Sequence, residues 1–166
     1  ILMTQMLSPV VLIIPLYKLM IALNLMNTLL GVALMDSAFI LPTVIWLMYG
    51  YFQSVPQELL DAAALDGCNV INTITKVVLP VVRPGLVTCI GFAFIGVWNE
   101  FLFAYTFLRE TSTKVLAVGV FDFVAQWTTY WNYLMAAILF ATLPVIVVFI
   151  FLERQIVSGL IEGAVK

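Results

Sequence analysis

Histidine is absent from this sequence, and with it the commonest metal ligand and the commonest general base at neutral pH. Charge is scarce: Lys and Arg number seven and Asp and Glu nine, 10% of the chain, against about a quarter in soluble domains. These charges are scattered and sum to −2. No basic stripe exists for nucleic acid, and no polybasic cluster for anionic lipid. Cysteine is nearly missing too. Cys68 and Cys89 stand outside any CxxC spacing and read as two free thiols. There is no GxxxxGK[ST] phosphate loop in these 166 residues, the signature of a P-loop nucleotide site. Scattered carboxylates without histidine assign no catalytic residue, no metal ligand and no cofactor to this chain.

What fills the space is apolar. Hydrophobic residues make up 64% of 166, and the mean hydropathy is +1.15. A soluble helical core of this size needs a polar face that the composition does not supply, which predicts an all-α membrane protein. Four stretches reach the roughly 20 residues that a helix needs to cross a bilayer. They lie at about 1–23, 29–52, 86–108 and 134–152. Pro9 and Pro15, Pro42 and Pro144 fall in the first, second and fourth. Proline inside a span is tolerated where neighbours satisfy the freed carbonyl, so kinked helices in a bundle are expected. The chain opens at Ile1 inside an apolar run without a charged n-region, unlike a signal peptide, which predicts an N-terminal truncation.

The connections differ in kind. Residues 24–28 form a short polar turn, and 109–133 a long loop rich in Thr and aromatics. Trp127, Tyr130, Trp131 and Tyr133 gather just before the last span, where aromatic rings anchor at the membrane interface; a role in receiving a solute-binding protein is the other reading. Residues 53–85 form a partly polar insert with Glu58, Asp61, Asp66, Lys76 and Arg83. Lys76, Arg83, Arg154 and Lys166 oppose Lys18, Arg109 and Lys114. That balance leans toward a cytoplasmic insert and tail.

Within the insert, residues 54–67 predict a short capped helix. Ser54 is placed as N-cap with Gln57 completing a capping box and Pro56 in the first turn. Glu58 and Asp61 put negative charge toward the positive helix end. Gly67 supplies a left-handed stop. A second helix is expected from 70 to about 78, ending before Leu79-Pro80, with Arg83-Pro84-Gly85 re-entering the membrane. The insert is therefore two short helices hinged at Gly67.

The spacing Asp61-Ala62-Ala63, three residues, Gly67, nine residues, Val77, one residue, Leu79-Pro80 resembles the EAA loop of ABC importer permeases. Asp61 stands for the usual Glu there and Val77 for the usual Ile. Trp98-Asn99-Glu100-Phe101, Leu143-Pro144, the tail from Gly159 to Lys166, Ile14-Pro15-Leu16-Tyr17 and Leu25-Met26-Asn27-Thr28 resemble carbohydrate-uptake permeases of the maltose and glycerol-phosphate type. The resemblance covers essentially the whole chain. It implies a MetI-like permease helical bundle: the C-terminal four of six spans, a single transmembrane domain over 1–166 with 53–85 as its cytoplasmic coupling loop.

In that family the loop docks into a cleft of a cytoplasmic ATPase. By resemblance Glu58, Asp61, Ala62, Ala63, Asp66 and Gly67 carry that contact, and a bulky or charged residue at Gly67 or Ala63 uncouples hydrolysis from transport while the spans stay folded. The implied partners are a second permease subunit, two ATP-binding subunits holding ATP and Mg, an extracytoplasmic solute-binding protein and the lipid bilayer. The implied location is the bacterial inner membrane, multi-pass. The function implied is a non-enzymatic transport subunit for a sugar. Amino-acid and peptide permeases share the loop, and a proton-coupled carrier is the competing class. Trp98, Asn99 and Glu100 are candidates for the solute path, since aromatic faces and carboxylates suit sugar rings and hydroxyls; bonding to neighbouring helices is the competing role for Asn99 and Glu100. Asp36, the one charge in the second span, is expected near an interface or bonded to a neighbouring span.

Overall fold

The computed structural model describes residues 8–124 and 129–164, with 154–164 in backbone only. Nine α-helical segments lie among them: α1 (Pro9–Ala22), α2 (Leu29–Gln53), α3 (Gln57–Leu65), α4 (Val70–Asn72), α5 (Leu79–Val81), α6 (Arg83–Trp98), α7 (Leu102–Phe107), α8 (Leu116–Phe121) and α9 (Trp131–Ala164). The chain divides into two compact units, one of Ile1–Pro42 with Phe94–Val148 and one of Thr43–Ala93 with Phe149–Lys166.

In the first unit the core is built from Met20, Val32, Met35, Phe103, Ala104, Phe107, Leu108 and Val118. The polar turn expected at 24–28 is what folds α1 back toward it. Asn24 takes φ 55 and Asn27 φ 56, conformations that Asn tolerates better than most residues. Leu25 N–H donates to the Met20 carbonyl at 2.9 Å and Asn24 N–H to Ile21 at 3.0 Å, the double bond of a Schellman stop. Thr28 then caps α2, its Oγ1 accepting from Gly31 N–H at 3.1 Å. Gly31 has no room for a side chain: a Cβ would meet the Met20 methyl and, at 2.5 Å, the Leu25 carbonyl. Asn27 also clasps the far end of α7. Its N–H donates to the Phe107 carbonyl at 2.9 Å, and its Oδ1 accepts from Arg109 N–H at 2.7 Å. The long loop expected at 109–133 holds more order than its composition implied, with a 3-10 turn at Thr111–Thr113 and the helix α8.

In the second unit α2 ends at Gln53, and Ser54 belongs to its close. The Ser54 hydroxyl donates to the Tyr51 carbonyl at 2.8 Å. The expected capping box at Ser54 and Gln57 is therefore corrected: Pro56 occupies the N-cap of α3, with no side-chain bond. The run after the hinge is longer than expected. Val70–Val81 is helical throughout, crossing Leu79-Pro80, with a π-helix at Thr73–Val78 inside it. Pro80 has no N–H to return to the preceding turn and its ring crowds that turn's carbonyl; widening to π just before it relieves the crowding. The run then bends by 72° into α6, at the buried Val82. Gly85 lets α6 lie against the Tyr51 ring, where a Cβ would collide. Gly91 does the same for the Leu152 side chain.

Two of the described helices are long and apolar enough to cross a membrane, α2 and the Trp131–Glu153 part of α9, or three if the bent pair of Val70–Val81 and Arg83–Trp98 counts as one span. The expectation of four spans is corrected at the third. Residues 86–108 do not form one helix, because α6 stops at Trp98 and α7 starts at Leu102. Part of the first expected span, 1–7, lies outside the described residues; α1 itself is a shorter apolar helix of 14 residues. The fourth is extended, since α9 runs on to Ala164. Trp127 and the side chains of the 159–166 tail lie outside the described residues.

Candidate functional site

The hinge at Gly67 has the geometry its sequence required. Gly67 adopts φ 72; its N–H reaches the Ala64 carbonyl at 3.1 Å, and Cys68 N–H reaches Ala63 at 3.0 Å. This is a glycine Schellman stop. Asn69 restarts the helix by accepting from Asn72 N–H through Oδ1 at 2.8 Å, a cap that the sequence reading missed although Asn is a strong N-cap residue. Glu58, Asp61, Ala62, Asp66 and Gly67 are all exposed. Ala63 is not: it is only 4% exposed. Enlarging Ala63 therefore disturbs the loop's own packing first.

Three residues around the hinge went unnoticed in the sequence reading. Leu65 is 89% exposed, Val70 75% and Ile71 71%. They bracket the Asp66-Gly67-Cys68-Asn69 turn, so their place beside a predicted stop was the signal available. Together with the carboxylates of Glu58, Asp61 and Asp66 they give the tip an aliphatic centre and an acidic border.

The second candidate group lies in the first unit, at the break between α6 and α7. Glu100 spends both carboxylate oxygens there. Oε1 accepts from Phe103 N–H at 2.8 Å and Oε2 from Ala104 N–H at 3.1 Å. A side chain that captures these two N–H groups takes the place of the carbonyls that would have continued α6, which is why the expected span is broken. Trp98 Nε1 donates to the Ala141 carbonyl of α9 at 3.0 Å. Asn99 Nδ2 donates to the Ile95 carbonyl at 2.8 Å. Trp98 and Asn99 line an open cavity of about 390 Å³ with Phe101, Val120, Ile138 and Thr142; Glu100 does not. The structure thus brings two of the three candidate path residues to a cavity and gives the third to helix capping.

Asp36 sits inside the first unit, 8% exposed, and its Oδ1 has no hydrogen-bond partner among the described residues. That oxygen makes no bond to a neighbouring span among the described residues. No group of three or more His, Cys, Asp and Glu able to hold a metal occurs among the described residues. Cys68 and Cys89 are both free.

The sulfoquinovosyl glycerol transport system permease protein of Agrobacterium fabrum is 33% identical over 95% of this chain and 55% of its own length. An inner membrane ABC transporter permease protein of Escherichia coli is 34% identical over 97% of this chain and 58% of its own. The trehalose/maltose transport system permease protein of Thermococcus litoralis is 32% identical over 91% and 55%. Across the relatives compared, the chain spans between 54% and 69% of their length. The family model for the inner membrane component of binding-protein-dependent transport systems matches residues 1–161. By that match this chain, with its MetI-like helical bundle, belongs to the family of binding-protein-dependent transport system inner membrane components.

Proposed function

We propose that the chain forms part of the membrane-spanning subunit of an ATP-driven sugar importer in a bacterial inner membrane, crossing it several times. Its loop 53–85 couples the spans to a cytoplasmic ATPase. The observation that carries the reading is the tip at Gly67: a rigid turn that leaves Leu65, Val70 and Ile71 outside. Aliphatic side chains held in water at a fixed turn gain by burial in a partner's cleft, at about 25 cal/mol per Å² covered. Glu58, Asp61 and Asp66 around them suit basic residues at the cleft rim, where charge governs approach and register more than affinity.

The assembly we propose holds a second permease subunit, two ATP-binding subunits that carry ATP and Mg, and an extracytoplasmic solute-binding protein. Sugar is favoured as the solute because relatives are named for sulfoquinovosyl glycerol, diacetylchitobiose, trehalose/maltose and melibiose/raffinose/stachyose. The chain contributes helices and a lever; bond-making stays with the ATPases.

Reconstitution tests the loop. Ile71→Asp and Gly67→Asp are expected to weaken ATPase binding about tenfold, as the loss of one interface anchor does, and to lower solute-stimulated ATP hydrolysis in proteoliposomes while the permease stays folded. Undiminished coupling in both variants would refute the role.

A further inference from the structure

The cavity of about 390 Å³ beside the break falls in the usual range of small-molecule sites, about 300–1,000 Å³. Its aromatic walls are braced. The Trp98 ring is held by its bond to Ala141 and by stacking on Phe94 at 5.3 Å. Phe101 stacks on Tyr105 at 5.1 Å and tilts against Phe121 at 5.4 Å. Each polar side chain on the wall spends one donor hydrogen and keeps its oxygen free, and Asn99 retains a second Nδ2–H. Asn99 donates from Nδ2, and its Oδ1 accepts nothing from the described residues. Thr142 donates its hydroxyl hydrogen to the Ile138 carbonyl at 2.8 Å, leaving the oxygen's lone pairs for an incoming donor.

Three physical constraints then converge. Unpaired acceptors and a broken backbone at membrane depth are costly against lipid and are tolerated where they line water or a ligand. No charged side chain lines the cavity, and the nearby Glu100 is occupied by two backbone N–H groups, so an ionic solute finds no counter-charge. Acceptors beside fixed aromatic faces match a ligand that presents hydroxyl donors along its edge and C–H groups on its face. We infer that this cavity is a solute subsite for an uncharged, hydroxyl-rich ring, with Asn99 and Thr142 as acceptors and Trp98 and Phe101 as walls. The inference rests on the importer reading and narrows it: the solute is a neutral sugar, not an acidic one, an amino acid or a peptide.

The test uses the assembled importer in proteoliposomes, carrying Thr142→Cys with Cys68→Ser and Cys89→Ala. A water-soluble methanethiosulfonate is expected to label position 142. Maltose, trehalose, melibiose or raffinose at ~10 times its dissociation constant slows that labelling about tenfold, whereas glutamate and lysine leave it unchanged. Adding Asn99→Leu abolishes the protection. Labelling by a lipid-soluble maleimide alone would make the cavity a lipid groove and overturn the subsite, as would protection by charged solutes only or by none of the probes. Uptake measured on the unmodified complex separates the two levels. ATP-dependent sugar import with an unprotected position 142 sinks the subsite alone, whereas loss of ATP dependence sinks the importer reading itself.

Discussion

The chain interrupts its helices in two opposite ways. At Gly67 the backbone makes the turn, through φ 72 and two main-chain bonds, so Leu65, Val70 and Ile71 are not needed to close it and stay outside. At 99–101 side chains make the turn: Glu100 spends both oxygens, Trp98 its one donor and Asn99 one of its two. A glycine hinge shapes the chain and leaves a surface for something else to bind. A carboxylate cap shapes the chain by consuming the charge that a reader of sequence would assign to a ligand. What remains for a ligand at the second break is what is left over, an amide oxygen and one amide N–H, rather than the most conspicuous residue.

The sharpest way to break this contrast is Glu100→Ala. It orphans the N–H groups of Phe103 and Ala104 next to the buried Phe103, Ala104 and Phe107, and is expected to cost about 2–4 kcal/mol. Thermal unfolding in detergent reads the loss, with Glu100→Gln falling between variant and parent because one acceptor oxygen survives. A melting temperature unchanged in Glu100→Ala would return Glu100 to the pool of ligand candidates. Next in size is a pair within the loop. Ala63→Leu forces three extra carbons into a buried site and is expected to destabilise by about 1–3 kcal/mol, while Ala62→Leu, on the exposed side, stays within about 0.5 kcal/mol. Equal effects on unfolding would mean that the loop's two faces are not distinct.

Why Ala62 and Ala63 looked alike in sequence is instructive. Spacing placed both in the motif, and helix α3 was legible from its alanines and from Gly67, but which alanine faces inward depends on the π-widened run after the hinge. That widening comes from Pro80, whose effect reaches back along a helix that seemed to end before it. The polar turn at 24–28 was legible because Asn and Thr carry their turn chemistry locally. The third span was misread for the converse reason. Hydropathy counts Glu100 as one costly residue in an apolar run, whereas its carboxylate competes with the helix for two specific N–H groups, which no window average records. The exposed tip residues were hidden by a habit of reading aliphatics as core. The 390 Å³ cavity was not legible at all, because Thr142 and Phe101 meet only through folding.

The smallest expected effect separates conformation from contact at the hinge. A Cβ at Gly67 meets nothing within 4 Å, so the cost of Gly67→Ala is that of the left-handed backbone alone, about 1 kcal/mol. Gly67→Asn should cost less, since this chain already places Asn24 and Asn27 at φ 55 and 56. Unfolding of the two variants in detergent should therefore rank parent, Asn and Ala in falling order of stability. Coupling to ATP hydrolysis should follow the same order, because Leu65, Val70 and Ile71 are untouched and only the angle that presents them is strained. If Asn and Ala were equally impaired while equally stable, the hinge would be acting through its bare surface rather than its φ, and the contrast between a backbone-made and a side-chain-made break would lose its physical basis.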